Sequence, residues 1–125
     1  MAESPIYVTD AEGGPADQGA YLNGALLLLT ALEARDLLTR LHAIEATLGR
    51  TRGVLDGPRT IDLDILWIEG ETIREDGLVI PHARLLSRAF MLRPLLDVAV
   101  DASDAESGFI FAEHPLAQAS LRKAS

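Results

Sequence analysis

Apolar residues recur along this chain at two different spacings. Over residues 32–48, Ala34, Leu37, Leu38, Leu41, Ile44 and Leu48 return at steps of three and four, which puts them on one side of a helix. Arg35, Asp36, Arg40, His42 and Glu45 take the other side, and Gly49 follows as the expected C-cap. Over residues 59–68 the step shortens to two. Ile61, Leu63, Ile65 and Trp67 alternate with Thr60, Asp62, Asp64 and Leu66, as on a strand. Glu69, Gly70 and Glu71 suit a hairpin turn, with 72–74 as its return strand. Residues 21–30 are nearly continuous in apolar side chains and predict a largely buried strand. Tyr21, Asn23, Ala25, Leu27 and Leu29 would share one of its faces. Residues 6–8 predict another short strand, and 10–19 a loop.

From Ile80 to Ala99 helical spacing dominates, and Pro94 predicts a break or a new first turn. Beyond residue 100 the pattern fades, and 109–111 suit a short strand. The order of elements predicts an α+β sandwich with a mainly antiparallel sheet. Residues 1–125 are expected to form a single domain, with a weakly patterned tail from about residue 101.

Composition narrows the function. The 125 residues are 48% hydrophobic and 24% charged, enough to build a core. Eleven Lys and Arg stand against 19 Asp and Glu, for a formal charge of -8. That balance argues against a nucleic-acid partner, which needs a basic surface. The absence of cysteine excludes disulfides, thiol catalysis and thiolate metal sites. The longest apolar run, Ala25 to Leu29, is far short of the ~20 residues that span a bilayer. The first residues lack the basic and apolar regions of a signal peptide. A cytoplasmic protein with no membrane partner is expected.

Asp62 and Asp64 project side by side from one face of their strand. They read either as hard oxygen ligands for Mg²⁺, completed by substrate phosphates, or as two charges on a solvated face. Arg50, Arg52 and Arg59 bracket the Gly-containing loop that leads into the pair. Guanidinium groups bind phosphate bidentately, so the combination suits phosphoryl transfer. Surface arginines among many acids are the plainer reading. His82, after Pro81, suits a phosphate contact or a structural histidine. Arg93 reads as an ordinary surface arginine. Trp67 reads as core. Tyr21 and Asn23 offer a flat ring and an amide to a heteroaromatic edge, or a core aromatic beside a satisfied amide. There is no P-loop, GxGxxG or GxSxG pattern.

The blocks LGRTRGVLDGPRTIDLDILWIEGETI and LVIPHARLLSRAFMLRPLLDVA, with DQGAYLN ahead of them, resemble the 6-hydroxymethyl-7,8-dihydropterin pyrophosphokinases of folate biosynthesis. The likeness runs over residues 4–100. It implies a ferredoxin-like α+β fold, two Mg²⁺ ions, and transfer of pyrophosphate from ATP to the pterin hydroxymethyl group with release of AMP. By motif, Asp62 and Asp64 correspond to the metal-binding aspartates and, with Arg50 and Arg59, to the catalytic set. Glu45, Arg50, Arg52, Arg59, His82 and Arg88 fall on ATP. Thr9, Tyr21, Asn23 and Phe90 fall on the pterin. A monomer is implied.

The sequence also departs from the family. The family opens with a strand, a Gly-Ser-Asn-type turn and a long helix, whereas Met1 falls just before what resembles the second strand. An exposed apolar sheet surface and an open strand edge are therefore expected, with a homodimer if a second copy supplies that layer. Asp56 stands where the family carries Trp, and Asp10, Ala11 and Glu12 where it favours Pro and hydrophobic residues. Both changes weaken the pterin lid more than the metal site. A noncatalytic nucleotide- or pterin-binding module, or a homo-oligomeric assembly protein, is the alternative.

Overall fold

A computed structural model describes residues 1–10, 20–50 and 61–124. Of the loops expected at 10–19 and 50–58, residues 11–19 and 51–58 lie outside the described residues, while Asp10 ends a strand and Arg50 ends a helix. In chain order the strands and helices are β1 (Ala2–Glu3), β2 (Tyr7–Asp10), β3 (Ala20–Asn23), β4 (Leu26–Leu27), α1 (Ala34–Arg50), β5 (Ile73–Glu75), β6 (Leu78–Ile80), α2 (Ala89–Val98) and β7 (Arg122–Lys123). Every strand pair among them is antiparallel. This is the expected α+β class. The pairing is divided among small sheets, β1–β4, β3–β2–β7 and β5–β6. Among the described residues, no helix is long and apolar enough to cross a membrane.

The predicted helix is α1, and it runs through Gly49 to Arg50 instead of stopping at a glycine cap. Asp36 lies in its first turn, where a negative charge complements the helix dipole. Ala34 is buried, and Leu37, Leu38 and Leu41 are half-buried. Ile44 and Leu48 are exposed.

The strand expected at 21–30 is interrupted and mostly exposed. β3 ends at Asn23 and β4 is only Leu26–Leu27. Between them the chain presses against the segment ahead of β2. Ser4 N–H donates to Ala25 O at 2.9 Å, and Ala25 N–H donates to Ser4 Oγ at 2.8 Å. A Cβ at Gly24 would stand 3.0 Å from Ile6 Cδ1, a tight contact that the end of the Ile6 side chain would have to yield to.

Residues 61–68 form no ladder with another strand among the described residues, which corrects the strand and hairpin expected there. Side chains and loops hold the segment instead. Leu63 N–H donates to Glu45 Oε2 at 2.6 Å and His82 N–H to Leu66 O at 2.8 Å. The indole N–H of Trp67 donates to Ser103 O at 2.8 Å. Gly70 does occupy a turn, closed by Glu71 N–H to Ile68 O at 3.1 Å. The hairpin itself lies one turn later, between β5 and β6, with Ile73 opposite Ile80. Gly77 takes φ 77° at its tip, a left-handed conformation that side-chain-bearing residues resist.

Segment 61–68 is the spine between two apolar clusters. Leu66 and Trp67 pack against one, built from Leu85, Met91, Leu92, Leu95, Leu96, Ala102, Phe111 and Ala117. Ile65 and Ile68 pack against the other, built from Ala34, Leu78 and Ile80. Pro94 sits inside α2 without ending it. Proline removes one N–H donor, but Pro94 is among the most deeply buried residues, and the packing of this face holds the helix together.

The tail is structured, contrary to its weak pattern. It forms short 3₁₀ turns at Phe111–Glu113 and Pro115–Gln118. A single bridge, Ser103 to Ile110, replaces the strand expected at 109–111. β7 then pairs with β2, Tyr7 opposite Lys123.

Candidate functional site

The alternation at the start of the spine segment survives as burial. Ile61, Leu63 and Ile65 are half-buried, while Asp62 and Asp64 are exposed. The two carboxylates therefore leave the segment on its open side, two residues apart. Glu45, on α1, reaches the same backbone from behind through its 2.6 Å bond with Leu63 N–H, the amide between the aspartates.

Asp64 stands at a cleft of about 280 Å³ between α1, the spine and the β5–β6 hairpin. Its apolar walls are Leu38, Leu63, Ile65, Leu78 and Val79, and its polar lining is His42, His82 and Asp64. His82 is half-buried, and its Nδ1 accepts from Arg84 N–H at 3.0 Å. In the neutral ring this makes Nε2 the protonated nitrogen. A second cavity of about 220 Å³ lies on the hairpin's Thr72 and Arg74 side and shares His82 as lining.

Arg88 and Phe90 open α2 together. The Arg88 guanidinium lies 5.5 Å from the Phe90 ring centroid, within cation–π range. On the β2–β3 hairpin, Asn23 Nδ2 donates to Thr9 Oγ1 at 2.7 Å. Thr9 and Asn23 are half-buried, and Tyr21 is exposed. The sequence-predicted residues thus fall in three groups: Asp64 and His82 at the cleft, with Asp62 and Glu45 on the adjoining stretch of backbone; Arg88 with Phe90; and Thr9 with Asn23 beside Tyr21. α2 packs against both β2 and β3. The side chain of Arg50, and all of Arg52 and Arg59, lie outside the described residues.

Two carboxylates on one exposed edge suit a hard divalent cation. Among the described residues no group of three or more His, Asp or Glu is placed to hold a metal. The donor set at Asp62 and Asp64 therefore fits Mg²⁺ whose shell is completed by phosphate oxygens and water, not an all-protein cage.

Sequence reasoning missed Tyr7 and Asp97. The buried Tyr7 hydroxyl donates to Asp97 Oδ2 on α2. Burial first, and then the Asp97 carboxylate, push the Tyr7 phenol above its usual value, while Arg93 opposes them. Arg93 bonds Asp97 Oδ1 at 3.2 Å and Ala117 O at 3.0 Å. The Arg93–Asp97 spacing of four was a visible signal on the helix. The tyrosine partner, distant in sequence, left none. At the surface, the Arg74 guanidinium bonds Glu106 and holds its carboxyl below the usual range.

Comparison with known proteins agrees with the motifs. The 7,8-dihydro-6-hydroxymethylpterin-pyrophosphokinase family model matches residues 1–100. A 2-amino-4-hydroxy-6-hydroxymethyldihydropteridine pyrophosphokinase of Pseudomonas aeruginosa is 46% identical over 101 residues, covering 81% of this chain and 62% of that protein. The protein of the same name in Bacillus subtilis is 45% identical over 95 residues, covering 76% and 56%. That of Methylorubrum extorquens is 43% identical over 101 residues, covering 81% and 63%. The chain spans about three-fifths of the length of these curated relatives. With four-fifths of its residues matched by one family model, the chain belongs to the 7,8-dihydro-6-hydroxymethylpterin-pyrophosphokinase family.

Proposed function

We propose that the chain transfers pyrophosphate from ATP to 6-hydroxymethyl-7,8-dihydropterin. The observation that carries this reading is the shared cleft of Asp64 and His82, with Glu45 holding the backbone between the two aspartates. A flat purine suits the apolar walls, and the triphosphate then runs outward along Asp64 and His82. His82, with Nδ1 already engaged, donates through Nε2 to a phosphate oxygen. Arg50, Arg52, Arg59 and Arg88 are the proposed guanidinium donors to the phosphates.

Tyr21 and Phe90 offer rings to the pterin, and Asn23 offers its amide to the heterocycle edge beside Thr9. The pterin hydroxymethyl oxygen attacks the β-phosphorus. The bond from that phosphorus to the bridging oxygen of AMP breaks, AMP leaves with the electron pair, and the hydroxymethyl proton passes to solvent. Asp62 and Asp64 would hold two Mg²⁺ ions, which when bound supply charge neutralisation along the phosphates. The arginines and His82 stabilise the charge that shifts onto AMP. The proposed setting is cytoplasmic. Residues 1–125 act as one monomeric domain, with ATP and the pterin as partners and no need for nucleic acid or membrane.

AMP release tests the reading. AMP is expected from ATP and Mg²⁺ only when the pterin is present. Asp62→Asn and Asp64→Asn are each expected to lower turnover at least 100-fold while thermal stability stays near that of the parent, on the usual scale of lost electrostatic stabilisation. A variant with near-parent turnover removes the aspartates from the metal role. Pterin and ATP binding without AMP formation assigns the chain to noncatalytic binding instead.

A further inference from the structure

Tyr7 and Thr9 are two residues apart on β2 and so share one of its faces. At one end of that face, Tyr7 is 3% exposed and its hydroxyl donates to Asp97, near the end of α2. Arg93 holds the second oxygen of Asp97 and reaches on to the carbonyl of Ala117. The strand, the helix and the tail are therefore tied at one point. At the other end, Thr9 Oγ1 receives the Asn23 amide at 2.7 Å. The register places Asn23 directly opposite Tyr7 and Tyr21 opposite Thr9.

An amide that gives one N–H to Thr9 presents its second N–H and its Oδ1 in fixed directions. That donor–acceptor pair has the form needed to meet the edge of a ring carrying adjacent N–H and carbonyl groups. The same helix that anchors Tyr7 carries Phe90 in its first turn.

We propose that Tyr7 and Thr9 are positioning residues for Asn23: Tyr7 sets where β2 sits against α2, and Thr9 sets the direction of the Asn23 amide. This rests on the reading of Asn23 as the group that meets the pterin edge. Neither residue needs to touch the reacting atoms.

The test is binding of 6-hydroxymethylpterin to the full chain, followed by the pterin's fluorescence, beside binding of ATP with Mg²⁺. Thr9→Val is expected to raise the pterin Kd roughly five- to tenfold, the scale of one lost hydrogen bond. Thr9→Ser, which keeps the hydroxyl, is expected to return it to within about twofold. Tyr7→Phe, which removes one oxygen from a residue with no proposed ligand contact of its own, is expected to raise it about threefold. The ATP Kd should not move in any of them. A purely structural role would lower melting temperature and weaken both ligands together, or neither. Unchanged pterin binding in both Thr9→Val and Tyr7→Phe overturns the positioning role and leaves the pterin reading intact. A parent chain that binds ATP but no pterin overturns both.

Discussion

Leu92 on α2 and Leu29 beyond β4 carry the same side chain and lie at opposite ends of the exposure scale, 0% and 99%. Their surroundings differ more than their local sequences do. α2 is covered on several sides, by the 3₁₀ turn Leu85–Ser87, by Phe111 and Ala117 of the tail, and by Leu66 and Trp67 of the spine. α1 and the β3–β4 stretch have less. Ala34 and Leu38 meet β6 and the spine, but Leu22, Leu26, Leu28 and Ile44 remain 47–68% exposed. Apolar spacing selects which face of an element will seek cover. Whether the face is covered depends on a second layer, which can come from anywhere in the chain.

Truncation tests the contrast most directly. Leu92→Ala and Phe111→Ala are each expected to lower unfolding free energy by about 3–5 kcal/mol in urea titrations, because both leave a cavity in a closed core. Leu29→Ser is expected to change it by less than about 0.5 kcal/mol. A Leu29→Ser cost equal to that of Leu92→Ala would mean the exposed stretch is covered in solution, and the contrast would disappear.

Alkaline titration sharpens the picture at the join between β2 and α2. The Tyr7 phenol is raised above its ordinary 10.0 in the folded chain, so the folded state holds this proton more tightly than the unfolded state. The stability Tyr7 contributes is whole below pH 10 and is lost as pH rises through the higher folded value. The difference in stability between the parent and Tyr7→Phe is therefore expected to shrink above pH 10, as read by denaturant midpoints at a series of pH values. A constant difference would place the phenol outside this coupling.

The smallest effect belongs to the outer side of α1. Arg35 bonds Glu75 at 2.7 Å, but the side chains are 49% and 61% exposed. Arg35→Ala is expected to cost less than about 1 kcal/mol and to matter less as salt rises. A larger, salt-independent loss would show that this side of α1 depends on more than apolar contact.

Much of the candidate site was legible because its signals are local. The step of two over 61–65 put Asp62 and Asp64 on one exposed edge, and the structure keeps them there. The step of three and four over 34–48 gave α1 and the side from which Glu45 reaches the spine. What failed was anything decided by a distant partner. The 61–68 alternation gave burial over 61–65 but not beyond, where Leu66 packs on the core beside Trp67, and it did not give pairing, because Glu45, His82 and Ser103 supply the hydrogen bonds a neighbouring strand was expected to supply. Pro94 was read from backbone chemistry alone, whereas tertiary packing decided its fate. The tail looked patternless because its buried residues, Ala102, Phe111 and Ala117, come from turns, where no fixed spacing applies.

The pairing of β7 with β2 joins Lys123 to Tyr7, across nearly the whole length of the chain. The match to the family model ends at residue 100, yet among the described residues the second neighbour of the strand that carries Tyr7 and Thr9 is the pair 122–123. During synthesis β2 must wait with one edge open while almost everything else is made. Contacts this remote in sequence slow folding, and an open edge invites pairing with other chains. A gene cut at the end of the family match would make that waiting state permanent. Residues beyond the family model's match would then decide whether the matched ones reach their fold.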